Sequence, residues 1–385
     1  MAAQGFSIAI IGAGIGGLAA AAALRLVGVE VRIYEQARAF ARIGAGIQQA
    51  PNSIRVLRRL GLEGKLNEIA FRPYSALNRK SDTGEVTWER MLGADAEKSY
   101  GAPYFLLHRG DLHEALASVV SNDIIERNRK LVSLTQSDDA VTLNFEDGPP
   151  VNADFVIGAD GVHSVVRESL FGVESPRWTG RVAYRTTLPA SLLGGMEIDD
   201  CAKWWGPDRH IVMYYVNPRR DEIYFVTSTP EPHFKVESWS AKGDLDMLRE
   251  AYKDFHPQVR AVLDACPEVH KWALVERDPF PKWGDGRITL MGDACHPMTP
   301  YMAQGAAMSI EDAAILSRCL DGVGRDGVVG GLRRYEESRM ARTARIQTIS
   351  RLNDMNKIKA EINNTYGYDA WSAPLAEETT GVAAE

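Results

Sequence analysis

Ile8-Ala-Ile-Ile-Gly-Ala-Gly-Ile-Gly-Gly-Leu-Ala19, with its return Val31-Arg-Ile-Tyr-Glu35, decides how the chain is read. Ile8 to Ile11 is a short β-branched run with the character of a buried strand. Gly12, Gly14 and Gly17 follow in G-x-G-x-x-G spacing. Leu18 to Leu26 reads as a helix, and Val29 to Tyr34 as a second strand ending in Glu35. Gly12 makes the tight turn, Gly14 lets the backbone approach a pyrophosphate, and Gly17 lets helix and strand pack closely. The helix N-terminus offers N–H groups and partial positive charge to phosphates, and Glu35 is placed to accept from a ribose hydroxyl. The glycine spacing alone is weak; strand, helix and acid in their required places make a dinucleotide site the reading. A signal peptide or membrane span is rejected, because glycines and Arg25 interrupt the apolar run and no basic segment precedes it.

The chain has 385 residues, enough for two domains. With 25% charged and 45% hydrophobic residues it reads as an ordinary soluble protein, and a net charge of −7 favours neither nucleic acid nor an anionic membrane. Cys201, Cys266, Cys295 and Cys319 are widely spaced, which suggests neither a disulfide framework nor a metal site; a reduced cytoplasm is the simplest compartment.

Arg42-Ile-Gly-Ala-Gly-Ile-Gln-Gln-Ala-Pro-Asn52 is a second glycine-containing loop, with Arg42 a candidate phosphate or ribose contact. The helix beginning at Ser53 carries Arg55, Arg58 and Arg59, expected on a solvated face. Residues 73–99 read as a strand pair, and a strand ends at His108 with Arg109 at the next helix start. Ala153-Asp-Phe-Val-Ile-Gly-Ala-Asp-Gly161 repeats the strand-to-turn logic of the start. Between 178 and 275, period-2 stretches such as His210-Ile-Val-Met-Tyr-Tyr215 argue for antiparallel strands. Arg287-Ile-Thr-Leu-Met-Gly-Asp-Ala-Cys-His-Pro297 delivers Asp293 into a loop before a long helix from about Gly305. Tyr335 to Leu352 reads as a basic amphipathic helix with solvated arginines, and the chain from Ala373 as a frayed end.

Three stretches carry a resemblance: 12–17 with Glu35, Gly158-Ala-Asp-Gly161, and Gly292-Asp-Ala-Cys-His-Pro297. Together they resemble the single-component FAD-dependent aromatic hydroxylases, the group of the 4-hydroxybenzoate and salicylate hydroxylases, over nearly the whole chain. The resemblance implies an α/β fold: a Rossmann-like FAD-binding domain (1–72, 100–177 and 276–345), an interleaved, mainly antiparallel substrate sheet (73–99 and 178–275), and a C-terminal helix and tail (346–385). It implies FAD contacts at Gly12, Gly14, Gly17, Glu35, Arg42, Arg109 and Asp293, with Asp160 on coenzyme and pyrophosphate and Leu131 near the adenine. It also implies NADH or NADPH as reductant, and O₂ trapped as a flavin C4a-hydroperoxide whose distal oxygen passes to an electron-rich ring. His210 is then the candidate base for a phenolic proton. Tyr214, on the same side of the strand, orients the substrate oxygen, and Gln48 and Tyr301 donate from the flavin side.

Within the family, Lys203-Trp-Trp205, Asp208-Arg-His210 and Tyr214-Tyr215 resemble members that act on a hydroxynicotinate, although those carry histidines where this chain has Gln48 and Tyr301. Gln48 with His210 and Tyr214 is similar to the hydroxylases of 3-hydroxybenzoate. The expected substrate is therefore a small aromatic or pyridine carboxylate, hydroxylated with or without loss of CO₂, by a monomer or homodimer. A halogenase would need Trp-x-Trp-x-Ile-Pro, which Trp204-Trp205-Gly206 is not. A flavoprotein without turnover would show no substrate-stimulated NAD(P)H oxidation.

Overall fold

The computed structural model describes residues 5–40, 42, 45–231 and 242–377. Strand β1 (Ser7–Ile11) lies inside a six-stranded sheet, followed by helix α1 (Ile15–Leu26) and strand β2 (Glu30–Glu35). The sheet order is Gly284–Asp285, Ile288–Leu290, Phe155–Gly158, β1, β2, Ile125–Arg127. Its strands pair in parallel except for the short Gly284–Asp285 edge. β1 is apolar because both of its faces are covered, as parallel sheets require. Ala19 to Ala23 are buried in α1, and their small side chains admit the Gly305–Leu320 helix alongside. The helix begins three residues earlier than the apolar run suggests, because Gly17 belongs to its first turn. A Cβ there would stand 2.0 Å from the Gly12 carbonyl oxygen. Gly12 itself has φ +102°, in the left-handed region, and a Cβ on it would meet the Ala159 oxygen at 2.5 Å.

The second large sheet has seven strands in the order His270–Glu276, Arg177–Pro189, Glu222–Pro230, His210–Tyr215, Cys201–Trp205, Ser75–Lys80, Val86–Met91. All neighbours are antiparallel except Cys201–Trp205 with Ser75–Lys80. The pair Gly46–Gln49 and Phe105–His108 connects the two regions. Each large sheet has its own apolar core. The architecture is α/β, with a Rossmann-like sheet, a mainly antiparallel sheet interleaved in sequence, and C-terminal helices.

Three expectations need correction. Arg55 and Arg58 are half-buried rather than solvated. Arg55 donates to the carbonyls of Tyr100, Tyr366 and Tyr368, Arg58 to that of Gly101, and Arg59 stacks on Trp371, so together they fasten the C-terminal segment. The basic helix runs from Val328 to Leu352, and Arg339 within it is fully buried. Gly330 and Gly331 weaken its helical signal, yet a Cβ on Gly331 would meet the Cys319 oxygen at 2.8 Å, where the two helices cross. Past Asn353, at φ 47°, Asp354 caps a separate helix, Met355–Gly367. Finally, the chain through 377 is docked: Arg318 donates to the carbonyls of Ala370 and Ala373, and Arg334 to that of Ala376. The rest of the expected frayed end, 378–385, lies outside the described residues, as do Ile43 and Gly44 of the second glycine loop.

Candidate active site

The glycine turn is held from both sides. Glu35 accepts from the Ala13 N–H (2.8 Å) with one oxygen and from the Ala37 N–H (2.7 Å) with the other. His113 Nε2 lies 2.7 Å from the Ala13 carbonyl oxygen. Gly14 is the N-cap of α1, no side chain caps that end, and a Cβ on Gly14 would meet nothing within 4 Å. Free helix N–H groups facing open space beside a fixed carboxylate fit a pyrophosphate and ribose. Arg109 and Asp293 keep exposed surface, although protein packs densely around both. Loss of solvent pushes the Asp293 carboxyl up and the Arg109 guanidinium down, while their mutual attraction opposes both shifts. The residues present fit FAD.

The other expected cofactor residues are differently occupied. Arg42 is exposed and bridges Asp111 (2.8 Å) to Glu222 (3.0 Å), tying the second glycine loop to the antiparallel sheet. Asp160 accepts from Ser164 Oγ and from the Val166 N–H, so its carboxylate serves the start of the Val165–Phe171 helix. Leu131 is buried at the start of a strand pairing with Phe145.

Behind the Asp293 turn lies a network invisible to motif reading. Asp312 accepts from the Gly292 N–H (3.0 Å), His296 Nε2 (2.6 Å) and Arg339 Nε (2.7 Å). Glu311 accepts from Arg339 (2.8 Å), Arg342 (2.7 Å) and Asn52 (2.7 Å). Asp312, Glu311 and Arg339 are fully buried. The charges of His296 and Arg339 overcome desolvation and hold the Asp312 carboxyl down at about 2. His296 is thus a strut of the turn.

Register brings the remaining residues together on one face of the seven-stranded sheet. His210 pairs with Trp205 and Ser228, and Tyr214 pairs with Cys201 and Tyr224. Side chains two apart share a face, so His210 and Tyr214 point the same way. The His210 ring meets Tyr301 edge-on at 5.5 Å and Trp205 at 4.9 Å. The Tyr301 hydroxyl lies 3.0 Å from Ser228 Oγ. Gln48 accepts from Tyr104 and hydrogen-bonds Tyr214, which brings the second glycine loop to this face. Burial, then the charges of Lys203 and Arg181, press the His210 pKa well below its ordinary value; burial raises that of Tyr214. His210 is therefore a neutral imidazole and Tyr214 a protonated phenol. Tyr215 faces the other way, accepting from the Ile198 N–H, and Trp204 is core, stacked on His256. A cavity of about 600 Å³ reaches His210, Trp205 and Tyr301 from the surface, past Arg177, Arg181 and Arg351.

Three polar residues of this face have no place in the sequence-level site. Arg185 lies over the Trp272 ring at 3.5 Å and hydrogen-bonds Tyr224, its pKa drawn down to about 10 by burial. Ser228 receives Arg181 Nε at 2.7 Å. Lys203 sits on the strand beside His210, between Trp205 and Cys201. The alternating pattern marks the faces, but only strand register shows which neighbours share them.

A model of an FAD binding domain family matches residues 6–350. The chain belongs to the FAD-dependent aromatic hydroxylases. It is similar to the 6-hydroxynicotinate 3-monooxygenase of Bordetella bronchiseptica, 44% identical over 96% of this chain and 97% of that protein. It is also similar to the 3-hydroxybenzoate 6-hydroxylase of Klebsiella oxytoca, 34% identical over 88% of this chain and 85% of that one. Among solved structures, Klebsiella pneumoniae HpxO complexed with FAD and uric acid matches with TM-score 0.81 and 25% identity, over 95% of this chain and 94% of that one. The family's cofactor is FAD, and its monooxygenases use NAD(P)H and O₂. Among the described residues no helix is long and apolar enough to cross a membrane.

Proposed function

We propose that this hydroxylase acts on a small hydroxylated aromatic or N-heteroaromatic carboxylate, with a pyridine acid of the 6-hydroxynicotinate type as the leading class. The observation carrying this reading is the convergence of neutral His210 and protonated Tyr214 with Gln48 and Tyr301 on one enclosed face. The chemistry that FAD supplies when bound is the use of NADH or NADPH and O₂ to deliver one oxygen atom as an electrophile. Such an oxygen needs an electron-rich ring, so the ring hydroxyl must lose its proton. His210 accepts that proton at its imidazole. Tyr214 donates to the same ring oxygen, and Gln48, whose amide oxygen is taken by Tyr104, keeps N–H groups for Tyr214 and substrate. Tyr301, held by Ser228, closes the far side. If oxygen is placed on the carboxylate-bearing carbon, the C–C bond breaks, its electron pair returns to the ring and CO₂ leaves.

Gly12, Gly14, Gly17, Glu35, Arg109 and Asp293 hold FAD in this reading, with Arg42, Leu131 and Asp160 at its margins. The domain division stays as proposed from the sequence, with 1–72, 100–177 and 276–345 binding FAD, 73–99 and 178–275 covering the substrate, and 346–385 following. Four buried free cysteines support a reducing, cytoplasmic setting, for a monomer or homodimer. Identity to the hydroxynicotinate enzyme supports the pyridine acid; the Gln48–Tyr214 contact favours a hydroxybenzoate as second reading. The test is a panel of hydroxynicotinates, hydroxypicolinates, salicylate and 3-hydroxybenzoate, scored for NADH and O₂ use and product mass. A product 16 mass units heavier, or one that has also lost CO₂, is expected from one of them; no product from any would overturn the reading.

A further inference from the structure

Lys203 is a charged side chain in the middle of the reacting face that the proposed chemistry leaves idle. It stands on Cys201–Trp205 opposite Val212, which lies between His210 and Tyr214 on the next strand. Its Nζ lies 3.8 Å from the Trp205 ring centre and 5.7 Å from that of Tyr301, the two rings that also flank His210. Its polar neighbour is Asn353 Oδ1, at 3.5 Å, the far limit of a hydrogen bond. The groups facing it are His210 from the neighbouring strand, Tyr301 from the loop after Asp293, Asn353 from the end of the Val328–Leu352 helix, and Asn78 from the parallel strand. Asn78 is already engaged by Trp205 Nε1 at 2.8 Å. Arg181 adds further positive charge toward His210. Among the described residues no carboxylate pairs with Lys203. Its ammonium is enclosed, half-buried and held by aromatic faces, where an unneutralised charge is costly.

We propose that Lys203 is the counter-charge for the ring oxyanion of the substrate: its ammonium stabilises the ionised hydroxyl that His210 deprotonates, and so keeps the ring electron-rich. The arrangement accounts for both titrations. Desolvation draws the Lys203 pKa down to about 7, and the Lys203 charge in turn depresses His210. An oxyanion seated between them removes both penalties: it holds Lys203 protonated and lets His210 take up a proton. Cation and base thus cooperate only when a ring bearing an ionisable oxygen is bound. A ring without that oxygen gains nothing from Lys203, which makes Lys203 a determinant of specificity as well as of rate.

The inference rests on the proposed function, and the experiment separates the two. Holoenzyme carrying Lys203→Met, and a Lys203→Arg variant that keeps the charge, are titrated with 6-hydroxynicotinate and 3-hydroxybenzoate. Ultraviolet difference spectra then report the pH at which the bound ring hydroxyl ionises. In the wild type that pH should lie one unit or more below the value for the free acid. Lys203→Met should return it to the free value, with affinity for the ring acid falling tenfold or more at unchanged FAD content. Lys203→Arg should restore at least part of the shift, and affinity for benzoate, which lacks the hydroxyl, should respond little to either variant. If the wild type hydroxylates a ring acid but Lys203→Met ionises it at the wild-type pH with wild-type affinity, the assignment of Lys203 is overturned while the function stands. Equal loss of affinity for benzoate would likewise overturn it, by showing a carboxylate or packing role. If the wild type neither binds nor hydroxylates any acid of the panel, it is the functional reading that fails.

Discussion

Two groups of buried charge lie at opposite ends of the same loop, and they are built on opposite rules. Behind Asp293, Arg339, Glu311, Asp312, His296 and Arg342 satisfy one another at 2.6–2.8 Å. Past Tyr301, Lys203 and His210 are enclosed, and among the described residues no carboxylate pairs with either. The first group has its charges paired before a ligand arrives, and what it does is mechanical: it fixes the Gly292–Asp293 turn to two helices. The second is incomplete, so burial presses both of its bases toward neutrality. A satisfied cluster marks scaffold; a cluster lacking one sign of charge marks where that sign is to be delivered.

The comparison can be broken most forcefully at Arg339. Arg339→Met leaves two buried carboxylates without their shared cation, and should cost about 3–5 kcal/mol in urea unfolding. A loss below 1 kcal/mol would show that the network is not structural. At the other end, His210→Ala should lower hydroxylation by ~10²–10⁴ with unfolding midpoint and FAD content near wild type; an intact rate would remove His210 as the base. A smaller effect separates the clusters by pH. Asp312 is depressed from 3.8 to about 2, so its contribution is present above pH 3.8 and lost as pH falls toward 2. That loss amounts to about 2 kcal/mol, and Asp312→Asn should lack this acid-sensitive component of the unfolding curve. Lys203 has the reverse sign of effect on stability. Its pKa falls from 10.5 to about 7, so its charge burdens the folded protein fully below pH 7, and stability rises between pH 7 and 10.5 as the proton is lost. Lys203→Met should therefore stabilise the substrate-free protein at pH 6 by about 1–2 kcal/mol. Differential scanning fluorimetry at pH 6 and pH 10 checks this, and a destabilised variant at pH 6 would show that Lys203 is already satisfied.

Much of the nucleotide half could be read directly, because its constraints are local. The tasks of Gly12 and Gly17 follow from backbone geometry a few residues away, and β1, α1 and β2 follow each other without interruption. His210 and Tyr214 share a face by simple alternation. What escaped was set by contacts distant in sequence. The arginines of Val328–Leu352 carry no local mark that sends Arg339 inward. The available signal was on its partner, since Glu311 and Asp312 interrupt a largely apolar helix and adjacent acids in such a setting need cations. Arg185 and Lys203 were hidden for a different reason. Their strands were evident, but their neighbours depend on a register that mixes antiparallel pairing with the parallel Ser75–Lys80 strand.

That parallel pairing also sets a schedule for the chain as it leaves the ribosome. Ser75–Lys80 finds one neighbour at once in Val86–Met91, but its other edge waits for Cys201–Trp205, about 120 residues later. At ~5–20 residues per second this is a delay of roughly 6–24 s. Throughout it, a nascent hairpin presents an open edge of backbone N–H and C=O groups to any other strand nearby. The first sheet waits longer still, since Ile288–Leu290 must arrive beside Phe155–Gly158 before it is whole. Interleaving the two sheets therefore leaves unpaired strand edges on the growing chain until nearly three hundred residues have emerged.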